Sequence, residues 1–183
     1  MTSKRGDWKI LDSKIVFQNE WIKVREDSVI RPDGNNGSYA MVEMKPGVSV
    51  LPIDEEGNVY LVKEFHYAVN RETIGAISGG IDNDESNIEA VKRELNEEAG
   101  IVADEIIDLG VLDPFTAVVY SPNHMYVAKG LHFGDSNHEG SESLRLCKIP
   151  FEQAFQMVME SKITHGATSV LILKAKELFG KAS

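Results

Sequence analysis

The chain is poor in the residues that build sulfur-rich or membrane-spanning proteins. Cys147 is its single cysteine among 183 residues, so an intrachain disulfide is impossible and a thiolate-rich metal site is excluded. No apolar run approaches the roughly 20 residues that a membrane-spanning helix needs, and residues 1–7 lack the apolar stretch of a secretory signal. We therefore expect a cytoplasmic protein that holds any metal ion mainly through oxygen atoms.

Basic residues are also scarce and scattered along the chain. Lysine and arginine total 19 against 29 aspartates and glutamates, which gives a formal net charge of −10. Binding to duplex nucleic acid needs a basic face that neutralises many phosphates, so neither nucleic acid nor a membrane is an expected partner. A small phosphorylated substrate is compatible with the charge if divalent cations lie between it and an acidic site.

The pattern of apolar and turn-forming residues predicts a strand-rich domain with a few helices. Turn residues at 31–37 predict a hairpin between strands 21–30 and 38–44, and residues 54–58 predict a second hairpin between strands 48–53 and 59–65. Further strands are expected at 15–17, 73–77, 106–112, 125–128 and 144–149, and helices at 151–160 and 168–179. This order suits a mixed sheet covered by helices, an α+β fold.

The strongest helix signal ends at Ala99. Asp84 or Ser86 can cap its start, Gly100 is placed to stop it, and an apolar stripe recurs at helical spacing. The residues of that stripe are Ile88, Val91, Leu95 and Ala99.

Three glutamates of this helix are the candidate metal ligands. Glu94 and Glu98 are four residues apart and therefore share one face, with Glu97 to one side. Like charges at that spacing repel by a few tenths of a kcal/mol, which a cation between them would relieve. Carboxylates without sulfur point to a hard ion, Mg²⁺ or Mn²⁺.

A glycine-containing turn precedes the helix. Gly79 and Gly80 let the backbone turn sharply and approach a ligand closely, and the carbonyl of Ser78 is a candidate additional metal ligand.

Two other interpretations compete with a metal site. The acids Glu89, Glu94, Glu97 and Glu98, supported by Lys92 and Arg93, also fit an ordinary solvated helix face. A calcium-binding EF-hand loop starting at Asp82 is excluded, because its sixth position is Asn87 instead of glycine and its twelfth is Arg93 instead of glutamate.

The combined spacing resembles the Nudix box. Gly79 is followed after five residues by Glu85, after seven more by Arg93-Glu94-Leu95, then by Glu97-Glu98 and Gly100-Ile101, each after one residue. This resemblance implies the Nudix α/β/α sandwich, with Glu94 and Glu98 as metal ligands and Glu97 binding a further ion. It also implies that Arg93 pairs with Glu85, and it places Arg93 and Glu97 among the catalytic residues.

The resemblance extends to the ADP-ribose and nucleoside-diphosphate-sugar pyrophosphatase branch of the family. Segments 31–34, 47–52, 71–73 and 150–154 look like landmarks of that branch. By similarity, Glu142 is the catalytic base, with Glu139 as the alternate. Residues 1–45 are expected to form a small antiparallel sheet that mediates a homodimer, and residues 46–183 the hydrolase domain.

Three positions depart from the branch pattern and bear on the substrate. Residues 75–79 lack the usual glutamate and proline, Thr116 stands where a proline marks ADP-ribose specificity, and His66 replaces a common arginine. We expect His66, Arg71 and Thr116 to contact the substrate. Other dinucleotides, damaged nucleoside triphosphates and a non-catalytic binding module remain alternative functions.

Several other polar and aromatic residues receive no functional role from the sequence. The histidines His124, His132, His138 and His165 lack ligand spacing. The aromatic residues Phe115, Tyr120 and Tyr126 could stack on a base near the site, but their strand spacing favours a place in the core.

Overall fold

The computed structural model describes residues 3–134 and 144–179. These residues divide into two compact units. The first contains the described residues up to Lys45 together with Asp113–Pro122, and the second contains Pro46–Leu112 and the described residues from Asn123 onward. Within the described ranges, no helix is both long enough and apolar enough to span a membrane.

The first unit is built around one five-stranded sheet. Its strands are β1 (Ser3–Arg5), β2 (Trp8–Gln18), β3 (Ile22–Ile30), β4 (Asn36–Met44) and β10 (Val119–Tyr120), in that spatial order. The pairs β1–β2, β2–β3 and β3–β4 are antiparallel, and β10 runs parallel to β4. Gly34, with φ +83°, donates its N–H to Arg31 O at 2.9 Å and closes the predicted hairpin turn between β3 and β4.

The second unit contains two sheets and three α-helices. The strands are β5 (Gly47–Pro52), β6 (Asn58–His66), β7 (Arg71–Gly75), β8 (Ile77–Gly80), β9 (Ile101–Leu112), β11 (Asn123–Phe133) and β12 (Arg145–Pro150). The helices are α1 (Asn87–Ala99), α2 (Phe151–Met159) and α3 (Gly166–Phe179), with a 3₁₀ turn at Tyr67–Val69.

The larger sheet of the second unit is mixed, as predicted. Its order is β8-β5-β11-β9, with β5 parallel to β11 and the other two pairs antiparallel. The other sheet, β12-β6-β7, is antiparallel throughout. Mixed sheets combined with three helices confirm the expected α+β class.

Strand β5 is buried on both faces because helices cover both sides of the mixed sheet. On one side, Val48 and Val50 pack with Val91 and Leu95 of α1. On the other, Leu51 belongs to the cluster that contains Leu171 and Ile172 of α3. Alternate residues of one strand thus enter two cores, which explains its nearly continuous apolar sequence.

The predicted second hairpin is wrong. The turn itself forms, because Gly57 donates its N–H to Asp54 O at 3.0 Å. However, β5 pairs with β8 and β11, whereas β6 pairs with β7 and β12, and a single bridge joins Ile53 to Val59. Turn residues predict a local change of chain direction, but they do not predict which strands pair.

The prediction of one strand at 73–77 followed by a glycine turn is also wrong, because two strands occupy this segment. The chain leaves β7 after Gly75 and enters β8 at Ile77, so the glycines predicted to turn lie inside β8. Ala76, between the two strands, donates its N–H to Thr168 Oγ1 at 2.8 Å. This side-chain acceptor replaces a ladder hydrogen bond where the chain passes from one sheet to the other.

Candidate active site

Helix α1 is fixed at both ends by local hydrogen bonds. Ser86 caps it: Ser86 Oγ accepts the Glu89 N–H (3.3 Å), and Glu89 Oε2 accepts the Ser86 N–H (2.8 Å). Of the two predicted caps, Ser86 is therefore the one used. At the other end, Gly100 adopts φ 62° and donates its N–H to Asn96 O.

The apolar stripe of α1 agrees with the prediction except at its first position. Val91, Leu95 and Ala99 are buried, whereas Ile88 is 39% exposed. Ala90 and Glu94 are buried instead, so the inward face of α1 includes one of the candidate carboxylates.

Arg93 ties the loop before α1 to the acidic residues of the helix. Its guanidinium donates from Nε to Glu85 Oε1 at 2.9 Å and from Nη2 to Gly80 O at 2.9 Å. The Nη1 group donates to Glu94 Oε1 at 2.7 Å and to Glu97 Oε2 at 3.1 Å. The Arg93–Glu85 ion pair that the family resemblance implied is thus formed, and Arg93 also offsets part of the charge of Glu94 and Glu97.

The Glu94 carboxylate lies close to the backbone of β8 at Gly79. Its residue is 7% exposed, and a Cβ atom built on Gly79 would lie 1.8 Å from Glu94 Oε1. Only glycine at position 79 therefore leaves room for this carboxylate. Burial raises the pKa of Glu94, and the Arg93 charge only partly opposes that effect.

Glu98 lies in the wall of a small cavity of about 60 Å³ within the second unit. The other lining residues are Val62, Glu64, His66, Thr73, Gly75, Ala76, Ser78 and His165. The structure thus brings together Ser78, Glu98 and His66, which the sequence analysis assigned to the metal and substrate sites. Glu97, one turn from Arg93, is exposed to solvent.

His165 is a member of this cavity that sequence reasoning missed. Its Nδ1 lies 2.8 Å from Thr168 Oγ1, the same oxygen that accepts the Ala76 N–H. The residue remains accessible to water, but the protein atoms around its ring lower the pKa of His165, with a further contribution from His66. Its partners in the cavity are distant in sequence, so no spacing pattern could have identified it.

The other predicted site residues lie elsewhere. Arg71 donates from Nη2 to Thr164 Oγ1 at 2.9 Å in the second unit. Thr116 belongs to the first unit, where it lines a cavity of about 340 Å³. Glu139 and Glu142 lie outside the described residues.

The expectation that the three aromatic residues lie in the core holds for one of them. Tyr126 is buried, but Phe115 and Tyr120 are more than half exposed. Tyr120 lines the 340 Å³ cavity of the first unit together with Trp8 and Tyr39, whose rings pack edge to face at a centroid distance of 5.4 Å.

The donor set of α1 fits a hard divalent cation. Among residues 3–134 and 144–179, no three histidine, cysteine, aspartate or glutamate side chains form a ready-made metal-ligand group. The space beside Gly79 nevertheless holds the buried carboxylate of Glu94, and Glu97 and Glu98 lie on the same helix. Oxygen donors of this kind suit a hard ion that retains several waters and shares oxygens with a substrate.

Comparison with known protein families accounts for most of the chain. Residues 43–161 match the NUDIX domain model, and residues 8–42 match the model described as the nucleoside diphosphate sugar hydrolase N-terminal domain. The N-terminal match falls within the first unit and includes β2, β3 and most of β4.

Individual relatives and one solved structure resemble the chain over most of its length. The chain is 24% identical over 179 residues to an ADP-ribose pyrophosphatase of Bacillus subtilis (strain 168), covering 92% of this chain and 94% of that protein. It is 22% identical over 169 residues to a methanol dehydrogenase activator of Bacillus methanolicus, covering 90% of each chain. A crystal structure of an ADP compounds hydrolase superposes with a TM-score of 0.82 at 20% identity, covering 95% of each chain. Because the NUDIX domain model matches well over half of its residues, the chain belongs to the Nudix family of hydrolases.

Proposed function

We propose that the protein hydrolyses the pyrophosphate bond of a nucleoside diphosphate linked to a sugar, of the ADP-ribose or NDP-sugar type. The products are a nucleoside monophosphate and a sugar phosphate. The observation that carries the proposal is the buried Glu94 carboxylate, which lies against Gly79 on the same helix as Glu97 and Glu98. The N-terminal family match and the ADP-ribose pyrophosphatase relative support this substrate class.

Glu94, Glu98, Glu97 and the Ser78 carbonyl are the groups proposed to hold Mg²⁺ or Mn²⁺. When bound, divalent ions would offset diphosphate charge and lower the pKa of a bound water. Arg93 keeps Glu94 and Glu97 in place through its paired hydrogen bonds, and its link to Glu85 fixes the preceding loop against the helix. Burial of Glu94 strengthens its interaction with any cation by excluding water.

Glu142 is the proposed general base, with Glu139 as the alternate. A water oxygen forms a bond to one phosphorus, the bridging P–O bond breaks, and the proton of the water passes to the base carboxylate. We expect Glu142→Gln to lower kcat by roughly 10²-fold to 10⁴-fold, and the matched Glu139→Gln to leave it near the wild-type value. A large loss of kcat in Glu139→Gln, with near wild-type kcat in Glu142→Gln, would identify Glu139 as the general base.

His66, Arg71 and Thr116 are the proposed substrate contacts. His66 shares the small cavity with Glu98, whereas Thr116 lines the separate cavity of the first unit. An imidazole in place of an arginine at position 66 provides fewer hydrogen-bond donors for a phosphate. This difference favours testing several sugar nucleotides and dinucleotides beside ADP-ribose.

The deciding experiment is a panel of nucleotide substrates with Mg²⁺ or Mn²⁺, assayed for the products released. We expect two monophosphates from at least one diphosphate-linked compound, and a rate more than about 100-fold lower for Glu98→Gln. Glu105→Gln is the matched control, because Glu105 is an exposed carboxylate on β9 and not one of the α1 glutamates. Equal rates for wild type and Glu98→Gln would eliminate the metal assignment.

The same panel separates the alternative functions. Release of inorganic pyrophosphate from a damaged nucleoside triphosphate would identify a housecleaning activity. No turnover of any compound would favour a binding module.

The N-terminal sheet is proposed to mediate a homodimer. Four apolar side chains of β2 are about half exposed on the sheet of the first unit, namely Leu11, Ile15, Val16 and Phe17. An exposed apolar strand of this kind is a common association surface. In sedimentation experiments we expect a dimer for wild type and for Val102→Glu on β9, and a monomer for Val16→Glu. A monomeric wild-type protein would refute the proposal.

A further inference from the structure

Strand β8 carries two positions of the proposed metal site, and it is the edge strand of the mixed sheet. It is four residues long, and within residues 3–134 and 144–179 it pairs with β5 only. The Ser78 carbonyl is a proposed metal ligand, and Gly79 leaves room for the Glu94 carboxylate. A short strand paired on one side is more easily displaced than a central strand. Whatever fixes β8 therefore also fixes these two positions.

The hydroxyl group of Thr168 holds the residue at which the chain enters β8. Ala76 lies between β7, which pairs with β6, and β8, which pairs with β5. Its N–H donates to Thr168 Oγ1 at 2.8 Å, and the two residues are 1% and 0% exposed. A buried backbone N–H needs this acceptor, because water cannot take its place. The start of β8 is thus tied to a side chain of α3.

Thr168 is itself held in a fixed position. It lies in the first turn of α3, and Ile172, one turn further on, is buried in the same cluster as Leu51 of β5. A threonine in a helix has two accessible side-chain rotamers. His165 Nδ1 lies 2.8 Å from Thr168 Oγ1, and this contact stabilises the rotamer that faces Ala76. Both the backbone and the side chain of Thr168 therefore provide a rigid support for Ala76.

We propose that Thr168 is a positioning residue for the metal site: its hydroxyl group holds Ala76 and thereby sets where β8 lies against Glu94. This inference rests on the proposed function, in which α1 and β8 together bind a divalent cation. Thr168 acts through the backbone of β8 and is not a metal ligand. Groups that support metal ligands typically change metal affinity by 10-fold to 100-fold when they are removed, and an indirect support should lie at the lower end of that range.

Two substitutions at position 168 separate this role from a merely structural one. Thr168→Val replaces the hydroxyl group by a methyl group of similar size and leaves the Ala76 N–H without its acceptor. Thr168→Ser keeps the hydroxyl group and removes the methyl group instead. A positioning role predicts weaker metal binding in Thr168→Val that Thr168→Ser restores, whereas a role in packing alone predicts that Thr168→Ser is the worse variant.

Two further variants are matched controls. Thr164→Val makes the same chemical change at an exposed hydroxyl group four residues earlier, where Thr164 Oγ1 accepts from Arg71 at 2.9 Å. Ile172→Val removes a buried methyl group one turn further along α3. Neither substitution changes the hydrogen bond to Ala76, so both should bind Mn²⁺ within about 2-fold of wild type even where Tm falls.

The first measurement is Mn²⁺ affinity without nucleotide, from the free Mn²⁺ signal in electron paramagnetic resonance. We expect the Kd for Mn²⁺ to rise about 10-fold in Thr168→Val and to stay within about 3-fold of wild type in Thr168→Ser. The second measurement is amide hydrogen exchange of the full chain. In wild type the Ala76 N–H should be protected although it lies outside a strand, and in Thr168→Val residues 76–80 should exchange faster while β5 stays protected.

Wild-type Mn²⁺ affinity in Thr168→Val would overturn the inference, and so would a defect in Thr168→Ser or Ile172→Val as large as that in Thr168→Val. Rapid exchange of the Ala76 N–H in wild type would overturn it without any variant, so the test does not depend on the folding of Thr168→Val. Glu98→Gln is measured in parallel. If Glu98→Gln binds Mn²⁺ as tightly as wild type, the proposed metal site is refuted. A loss of affinity in Glu98→Gln but not in Thr168→Val refutes only the role of Thr168.

Discussion

Asp54 and Glu94 are two largely buried carboxylates of the second unit, and the protein compensates their charges very differently. Asp54, in the turn before β6, accepts hydrogen bonds from the Asn58 N–H (2.8 Å) and the Tyr60 hydroxyl (3.1 Å), and pairs with Lys148 (3.0 Å). Burial alone would raise the pKa of Asp54, but the hydrogen bonds outweigh burial and hold it at about 2. Its negative charge therefore stabilises the fold.

Glu94 lacks comparable compensation. Within the described residues, the hydrogen bond that reaches its carboxylate comes from Arg93, which is shared with Glu85 and Glu97. Burial dominates and raises the pKa of Glu94, so keeping it ionised at neutral pH costs folding free energy. A buried charge retained at a cost is typical of a functional site, whereas a fully hydrogen-bonded charge is typical of a structural one.

The sharpest test exchanges each carboxylate for its amide. Glu94→Gln is expected to lower the hydrolysis rate more than about 100-fold, because a direct ligand matters more than the groups that support it. Its Tm in metal-free buffer should equal or exceed that of wild type, because the uncompensated buried charge is gone. Asp54→Asn should show the reverse: wild-type turnover and a Tm lower by several degrees. Calorimetry and rate measurements on both variants check this, and a large loss of Tm in Glu94→Gln would contradict the comparison.

Two glycines give the second test. A Cβ atom at Gly79 would lie 1.8 Å from Glu94 Oε1, so Gly79→Ala must displace that carboxylate and should lower kcat/KM by about 100-fold. Gly57, in the turn of Asp54, has φ +79° and open space around it. Gly57→Ala should therefore cost about 1 to 2 kcal/mol of stability through backbone strain and leave the rate unchanged. Similar rates for the two variants would show that Glu94 tolerates displacement.

The cap of α1 tests whether the site depends on the helix end. Ser86→Ala removes the capping box that the Ser86 hydroxyl forms with Glu89, which should cost about 1 kcal/mol and lower Tm by about 2 to 4 °C. Turnover at 25 °C should change less than about 2-fold, because Arg93 still links Glu85 to the helix. A large kinetic defect would mean that the cap positions the glutamates directly.

The smallest expected effect is the pH dependence of the Tm difference between wild type and Asp54→Asn at acidic pH. Because the pKa of Asp54 is lowered from 3.8 to about 2 on folding, its contribution is fully present above pH 4 and is lost as the pH falls toward 2. The Tm difference between wild type and Asp54→Asn should therefore shrink between pH 4 and pH 2. Thermal unfolding across that range measures it, and a constant difference would show that the charge of Asp54 does not stabilise the turn.

Local signals predicted the site helix well. Ser86 and Gly100 act within a few residues of the helix ends, and the spacing of Glu94, Glu97 and Glu98 follows from helical periodicity alone. The mixed sheet and the hairpin around Gly34 were also predictable, because alternation and turn residues are local features.

Long-range features were not predictable from the sequence. The 54–58 turn looks like a hairpin turn, but burial of β5 on both faces decides that its neighbours are β8 and β11. His165 lines the same cavity as Glu98, and the fold alone brings these two positions, distant in the sequence, to one cavity. The roles of Glu142 and Glu139 stay predictions, since both residues lie outside the described ranges.

Mn²⁺ binding in the absence of nucleotide tests the central claim most directly. We expect wild type and the control Glu105→Gln to bind Mn²⁺ with the same affinity, and the double variant Glu94→Gln/Glu98→Gln to lose more than about 100-fold of it. Equal affinity in all three proteins would show that the carboxylates of α1 do not hold the metal.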